Sequence, residues 1–415
     1  MTRQTTHVVV LGGGYAGLMA AMRLATKTDR ETVSITLVNA GGTFNERVRN
    51  HQLISAQPVR ELPYADLLSG TRIAFVQATV LAIEPDRGVV IVRAGQDLAP
   101  REIRYDHLVC ALGSSIDVGG VPGAREHAST LDEQSARALA RRLPELAAAN
   151  GRVLLVGGGN TGVEVATELA EQWPDLQVTV ATRRSLASNL SDRAQRHIRR
   201  AFDRLHITFL ENTEVTRLER GRALTRTGAI PFDACIWVGG FAVSDLARQA
   251  GLRVNDRGQI LVDRALRSLS HPNIYAAGDA AMPAEEPGTP VRMSLYAATP
   301  MGAHAADGLA AHLNGGSPTA FGLSYIAMGL SLGRRDGVLQ FLHPSSDTPF
   351  DVILTGRLAN RAREFFVWFV IRSILLQRTM PWTFIWPGMG KMRAQAVPNP
   401  TVASSEPSAT DLRAA

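Results

Sequence analysis

The chain has only two cysteines, Cys110 and Cys235, far apart and each inside an apolar run, with no C-x-x-C spacing anywhere in its 415 residues. That excludes a redox-active dithiol and a zinc ribbon, and no metal site is expected. Lysine occurs only at Lys27 and Lys391, so nearly every cation is arginine, which follows genome composition but also suits phosphate binding. No uninterrupted apolar stretch reaches the ~18 residues of a membrane-spanning helix, and the N-terminus lacks the basic-then-apolar order of a signal peptide. These absences predict a cytoplasmic protein. No helix-turn-helix and no basic patch interleaved with aromatics stands out, which argues against a nucleic-acid partner.

What is present is ordinary in bulk, with 45% apolar and 20% charged residues in a chain long enough for two or three packed units. The net charge of +6 is placed unevenly: residues 352–397 carry seven basic side chains against one acid, Glu364, an excess equal to that of the whole chain. The basic character therefore belongs to the C-terminal segment.

Two near-identical glycine clusters each follow a short apolar run. Gly12, Gly13, Gly14, Tyr15, Ala16 and Gly17 form the first; Gly157, Gly158, Gly159, Asn160, Thr161 and Gly162 form the second, 145 positions on. Both fit G-x-G-x-x-G on a strand-to-helix turn, where backbone can approach a pyrophosphate and the helix N-terminus favours an anion. A helix is predicted over 18–28 and a strand over 33–38, ending at Asn39, where an acid usually holds the adenosine ribose. Strands are also predicted at 73–76, 89–92 and 107–110. The second turn leads into a helix over 162–172 and a strand over 177–181. There the acid is also missing, and Arg183 and Arg184 follow instead. They either clamp a 2′-phosphate, favouring NADPH over NADH, or are solvated loop residues. Asn273 to Asp279 reads as a strand ending in Gly278 and Asp279, followed by a helix near 301–313; the aspartate would accept from a ribityl hydroxyl.

The order of these motifs, with Ala111, Leu112 and Gly113 and with Trp237 through Gly240 to Phe241, resembles the two-dinucleotide-binding-domain flavoproteins. Within them the chain looks most like the type II NADH dehydrogenase-like branch of arginine-rich bacterial genomes, over roughly residues 7–345. The resemblance implies an α/β fold of two Rossmann-like domains: an FAD-binding domain from 1–117 and 254–322, split by an inserted NAD(P)H-binding domain at 118–253, with a C-terminal α+β cap at 323–397. It places Glu46 and Arg47 beside FAD and puts Val80 where a backbone amide holds the adenine. It also brings acids of the second glycine helix near the flavin. Glu164 and Glu168, four apart, share one helix face; Glu164 is the candidate for nicotinamide contact and proton handling, against a reading in which both simply complement the helix dipole.

The chain departs from that family at the acceptor. The glutamine-bearing Ala-Gln-x-Ala-x-Gln motif of the quinone pocket is here the stretch 295–300, with Tyr296 and Pro300 in place of the glutamines and thus the candidate substrate contacts. The Phe-x-Pro-Leu-Leu segment is replaced by the charged stretch 44–52. The missing dithiol argues against disulfide and sulfide:quinone reductases. In the C-terminal segment, 331–341 reads as a hairpin in which Arg334 and Arg335 are a solvated turn or touch substrate. Residues 357–378 predict an amphipathic helix with Leu358, Phe365, Phe369 and Leu376 on one face and Arg357, Arg361 and Arg372 on another. Phe366, Trp368 and Ile371 widen the apolar side, and 380–387 adds two tryptophans. Such a helix suits an anionic membrane surface at the inner face of the cell membrane, or a packed or homodimer interface. Residues 398–415, rich in Pro, Ser and Ala, are expected to be disordered. The expected activity is that of an FAD-dependent oxidoreductase that takes hydride from NADPH or NADH and hands electrons to a second acceptor, with a quinone as one candidate. Two alternatives stay open: a soluble reductase for a protein such as ferredoxin, and a non-catalytic NAD(P)H-responsive flavoprotein.

Overall fold

The computed structural model of the chain describes residues 5–95, 99–284 and 291–388. In chain order, the elements that build the site begin with β1 (Thr6–Leu11), α1 (Tyr15–Lys27), β2 (Val33–Asn39), α2 (Asn50–Ile54), β3 (Ile73–Gln77) and β4 (His107–Cys110). Next come β5 (Arg152–Val156), α3 (Asn160–Gln172), β6 (Gln177–Ala181), α4 (Asp192–Arg204), β7 (Thr208–Leu210) and β8 (Ala234–Trp237). The chain closes with β9 (Ile274–Ala276), α5 (Leu295–Leu313), β10 (Ala327–Ser331), β11 (Gly337–Leu342), β12 (Pro349–Thr355) and α6 (Gly356–Leu376).

Five strands form one parallel sheet in the order β9-β4-β1-β2-β3, and four form a second in the order β7-β6-β5-β8. These are two Rossmann-like units, and the strands of the second lie in sequence between β4 and β9 of the first. Both sheets are covered on both faces, so their central strands read as unbroken apolar runs: Val8, Val9, Val10 and Leu11 are all buried, as are Val153, Leu154 and Leu155. In each sheet the chain reverses its direction of winding at the central strand, and the glycine turn leaves the carboxyl end of that strand. Open α/β sheets bind their ligands at such switch points.

Both glycine helices start earlier than the sequence suggests, α1 at Tyr15 and α3 at Asn160, because the last residues of each glycine motif already form the first turn. The helix expected near 301–313 runs from Leu295, with Pro300 inside it. Ser294 caps it by accepting from the Ala297 N–H at 3.3 Å. The C-terminal hairpin is the antiparallel sheet β10-β11-β12, which α6 covers.

α6 is amphipathic in an unusual sense. Its inward face carries Ala359, Asn360, Arg363, Val367, Val370, Ser373 and Ile374, while Leu358, Phe365, Phe366, Trp368, Phe369 and Leu376 are exposed. Of the polar groups on that face, Arg363 meets the carboxylates of Glu164 and Glu364, while Asn360 and Ser373 donate to the backbone carbonyls of Arg334 and Val370. The segment after α6 folds back on α1: buried Arg23 grips Asp307 of α5 through two hydrogen bonds at 2.7 and 2.9 Å and also donates to Gln377 and to the Pro381 carbonyl. Removing one partner of such a buried pair costs about 3–5 kcal/mol, so this clamp fixes the chain end to the first unit. The C-terminal tail at 398–415 lies outside the described residues, as do Lys391 and Arg393. Among the described residues, no helix is long and apolar enough to cross a membrane.

Candidate dinucleotide and acceptor site

The two glycine turns repeat each other in detail. Gly12 has φ +91° and Gly157 φ +127°, a region that L side chains avoid, and the N–H of each donates across to the neighbouring strand, to Val38 at 2.8 Å and to Ala181 at 2.9 Å. A Cβ at Gly17 or Gly162 would lie within 2 Å of the carbonyl oxygen of Gly12 or Gly157, so the helix can approach its strand only with glycine there. Gly14 and Gly159 are the opposite case: nothing lies within 4 Å of where a Cβ would stand. Those two residues are the N-caps of α1 and α3, and neither helix has a capping side chain or an acid in its first turn. Each helix therefore presents unpaired N–H groups to open space, the arrangement that receives a phosphate.

Both turns open into one cavity of about 1740 Å³. Gly12, Gly14, Tyr15, Ala16 and Asn39 reach its wall from the first unit. Ala111 and Gly113 after β4, and Gly278 and Asp279 after β9, line it too. From the second turn come Asn160, Thr161 and Glu164. Two buried polar atoms on this wall have no partner among the described residues, the Tyr15 hydroxyl and the Asn160 Oδ1; a bound polar ligand satisfies such groups. Asn39 does more than the sequence reading gave it. Its Oδ1 accepts from Gly13 N–H at 2.9 Å and its Nδ2 donates to the Gly41 carbonyl at 2.9 Å, so it holds the turn in place. Asp279 accepts from the Ser114 hydroxyl at 2.6 Å, and Arg47 lies 4.0 Å from its carboxylate, donates to the Ser114 carbonyl at 2.6 Å and stands over the Phe241 ring. These features fit FAD along the first turn and a nicotinamide dinucleotide along the second.

Several expected contacts sit elsewhere. Val80 is paired with Val92 in a small antiparallel sheet and is not on the cavity wall. Gly240, at φ +141°, is one residue from the wall, at Phe241. Arg183 and Arg184 lie at the carboxyl end of β6, both exposed and without an ion-pair partner among the described residues. Pro300 is buried within α5 and does not reach the cavity, whereas Tyr296 does.

The carboxylates of α3 belong to a network that the sequence does not announce. Neither lies in the first turn, so the helix-dipole reading fails. Glu164 accepts from Arg363 of α6 at 2.8 Å and from the Ser331 N–H at 3.1 Å. Arg363 also binds Glu364 at 2.8 Å, and Glu364 binds Arg49 at 2.7 Å. Glu168 is fully buried. It accepts from Gln57 and from Arg334 at 3.2 Å, and its Oε1 lies 3.8 Å from His51 Nε2. Arg334 is thus a half-solvated turn residue that pairs with a buried acid, and it does not reach the cavity. Burial pushes the Glu168 carboxyl up to about 7, against the pull of Arg334 and Gln57. Burial holds His51 well below its ordinary range, and Arg363, Arg334 and Arg49 add to that. His51, Ser331, Arg363 and Arg49 escape sequence reading because each comes from a different element.

At the far end the cavity becomes aromatic. Tyr296 of α5 lies near-parallel to Phe366 of α6, with ring centroids 5.9 Å apart, and packs on Tyr325 at 5.2 Å. Ile326, Phe341 and Phe365 complete this mouth beside the exposed face of α6, whereas Met328 sits at the second turn, where its sulfur accepts from Asn160 Nδ2 at 2.7 Å. Both cysteines are buried in strands, Cys110 in β4 and Cys235 in β8, with thiols pushed up to about 12 by burial.

Residues 6–306 match the pyridine nucleotide-disulphide oxidoreductase family. The chain belongs to that family. It is an NAD(P)H-dependent oxidoreductase whose two dinucleotides are FAD and NAD(P)H, and it is similar to the type II NADH dehydrogenase-like flavoproteins. It is 28% identical over 302 residues to the demethylphylloquinone reductase NdbB of Synechocystis sp., an overlap of 68% of this chain and 73% of that one. It is also 28% identical over 372 residues to the type II NADH:quinone oxidoreductase of Staphylococcus aureus, covering 81% and 90%. Among solved structures, the sulfide:quinone oxidoreductase of Aquifex aeolicus superimposes with a TM-score of 0.77 at 19% identity, covering 95% of this chain and all of that one. NDH2 from Plasmodium falciparum in complex with NADH does so with a TM-score of 0.75 at 15% identity, covering 91% and 99%. These two likenesses speak for the fold alone. Although the family is named for disulphides, this chain has no dithiol with which to reduce one.

Proposed function

We propose that the protein is an NAD(P)H:quinone oxidoreductase that docks on a membrane through α6 and takes its acceptor from the aromatic mouth of the cavity. The observation that carries this reading is the single cavity that joins both glycine turns to an apolar mouth beside an exposed aromatic helix face. The quinone reductases among its relatives support the acceptor class. FAD held along the first turn would supply the two-electron redox chemistry between NAD(P)H and the acceptor.

This chain's residues do the positioning. The N-terminus of α1 and Gly14 hold one pyrophosphate, and Asp279, oriented by Ser114, accepts from the ribityl chain. The N-terminus of α3 and Gly159 hold the other pyrophosphate, and Arg183 and Arg184 receive a 2′-phosphate, which favours NADPH. Glu164, fixed by Arg363 and Ser331 on the cavity wall, would face the nicotinamide end of the bound coenzyme. Tyr296 and Phe366 offer an aromatic wall to a quinone ring, and Phe365, Trp368 and Phe369 rest in the lipid interface. In this assignment the flavin unit comprises 1–117 and 254–322 and the nicotinamide unit 118–253.

The test is acceptor turnover by flavin-loaded protein with NADPH, using a quinone in anionic vesicles or a ferredoxin in solution. Quinone turnover that rises with vesicles supports the proposal; ferredoxin turnover without quinone turnover overturns it in favour of a soluble reductase.

A further inference from the structure

The aromatic mouth holds a cation that has no acid to balance it. Arg292 lies on the cavity wall three residues before α5 and is half-buried. Its guanidinium stands over the Tyr325 ring, 5.1 Å from the centroid, and its Nη2 donates to the Asp347 backbone carbonyl at 3.0 Å. Among the described residues no carboxylate pairs with it, and Asp347 meets it only through the main chain. Tyr325 packs on Tyr296 and Tyr296 on Phe366, so a row of three rings ends in a positive charge.

The other polar groups of this wall are engaged. Arg363 is held by Glu164 and Glu364. The Tyr296 hydroxyl donates to the Ser324 carbonyl at 2.9 Å, and the Ser294 hydroxyl caps α5. The Tyr325 hydroxyl accepts from the Arg292 backbone N–H at 2.9 Å. Nε and Nη1 of Arg292 have no acceptor among the described residues, which leaves this guanidinium as the donor at the mouth.

We propose that Arg292 selects the acceptor by binding an anionic oxygen on its ring, so that the preferred substrate is a quinone bearing an ionised ring hydroxyl. The proposal rests on the quinone reading above. A charge taken from water into an apolar mouth is costly unless a partner of opposite sign meets it there. An uncharged quinone would cover the guanidinium and leave it without such a partner. An anionic ring serves both parts of the wall: its face lies along the aromatic row, and its oxygen takes a charge-assisted hydrogen bond from Nε or Nη1. Arginine suits this better than lysine, because a planar guanidinium stays on the Tyr325 face while donating from its edge. The reaction is NAD(P)H + H⁺ + quinone → NAD(P)⁺ + quinol, and the ionised hydroxyl passes through it unchanged.

The experiment gives the flavin-loaded enzyme NADPH or NADH and, without lipid, one of two soluble quinones. One is a naphthoquinone with a hydroxyl beside a ring carbonyl, ionised at neutral pH; the other is its methyl ether, which carries no charge. The two differ in ease of reduction, so the quantity read is the ratio of their kcat/KM values in each variant against that ratio in the wild type. Arg292→Gln is expected to lower the ratio about tenfold, chiefly by raising KM for the hydroxyquinone. Arg292→Lys keeps the charge and is expected to hold the ratio within about threefold of the wild type. A purely structural arginine would weaken turnover of both quinones alike, and a ratio unmoved in Arg292→Gln overturns the proposal. An unmoved ratio with weakened co-sedimentation on anionic vesicles overturns it as well, and assigns the cation to a lipid headgroup. In both cases wild-type turnover of either quinone leaves the acceptor class standing. A wild type that reduces ferredoxin and neither quinone overturns the acceptor class and this proposal together.

Discussion

At the scale of single residues, what decides a role here is which partners a side chain has. Arg183 and Arg184 have none among the described residues and stand at the carboxyl end of β6, beside the second glycine turn. Replacing both with alanine is therefore expected to raise KM for NADPH about tenfold, roughly 1.4 kcal/mol, while leaving NADH unaffected; steady-state kinetics with each coenzyme reads this directly. An equal effect on both coenzymes would mean that the arginines hold no 2′-phosphate. Residue roles were legible in the sequence where local backbone geometry dictates them. Gly12, Gly17, Gly157 and Gly162 are needed for a positive φ or a close approach, and that need follows from the turn itself. Roles set by distant partners were not legible: nothing near Glu168 in sequence announces Arg334, and nothing near Glu164 announces Arg363. Asn39 is intermediate, since its position at the end of β2 was readable but its grip on Gly13 was not.

Among the elements, the β10–β11 turn and α6 carry most of what the sequence left open. Asp336 in that turn accepts from His197 at 3.0 Å and Arg204 at 2.8 Å, both on α4, and so fastens the cap to the second unit. Burial opposes its charge, but these hydrogen bonds and the Gly337 N–H outweigh that and hold the carboxyl at about 2 instead of 3.8. A carboxyl depressed in this way contributes stability that is complete above its ordinary range and disappears as pH falls from about 4 to about 2. Asp336→Asn is expected to lower unfolding stability by about 2 kcal/mol at neutral pH and to flatten acid unfolding in that window, measured by denaturant titration at several pH values. The amphipathic pattern of α6 was visible in sequence, but its orientation was not. Periodicity says that two faces differ; it cannot say that Arg363 turns inward with Val367 and Val370 while Phe365, Trp368 and Phe369 stay outside beside Arg357, Arg361 and Arg372, because that depends on Glu164 and Val48 waiting there. With Phe365 and Trp368 63% and 51% exposed, replacing both with serine is expected to abolish co-sedimentation with anionic vesicles without lowering Tm. A lowered Tm with vesicle binding intact would assign that face to packing.

Taken whole, the molecule has two doubly wound units set so that their switch points face one cavity, with a cap whose aromatic helix borders the same cavity. The sequence carried this plan through repetition: the same turn occurs twice, each behind an apolar strand, and the strand before Gly278 completes the first. The joint cavity and the mouth at Tyr296 and Phe366 depend on how the two units and the cap are set against each other, which no local motif encodes. The most direct measurement is anaerobic: mix the flavin-loaded protein with NADPH or NADH, follow the visible flavin band, then add a quinone in anionic vesicles. The band should bleach with the nicotinamide and return in full when the quinone arrives. A band that fails to bleach with either coenzyme, or that bleaches and does not return with any quinone, contradicts a single cavity serving donor and acceptor in turn.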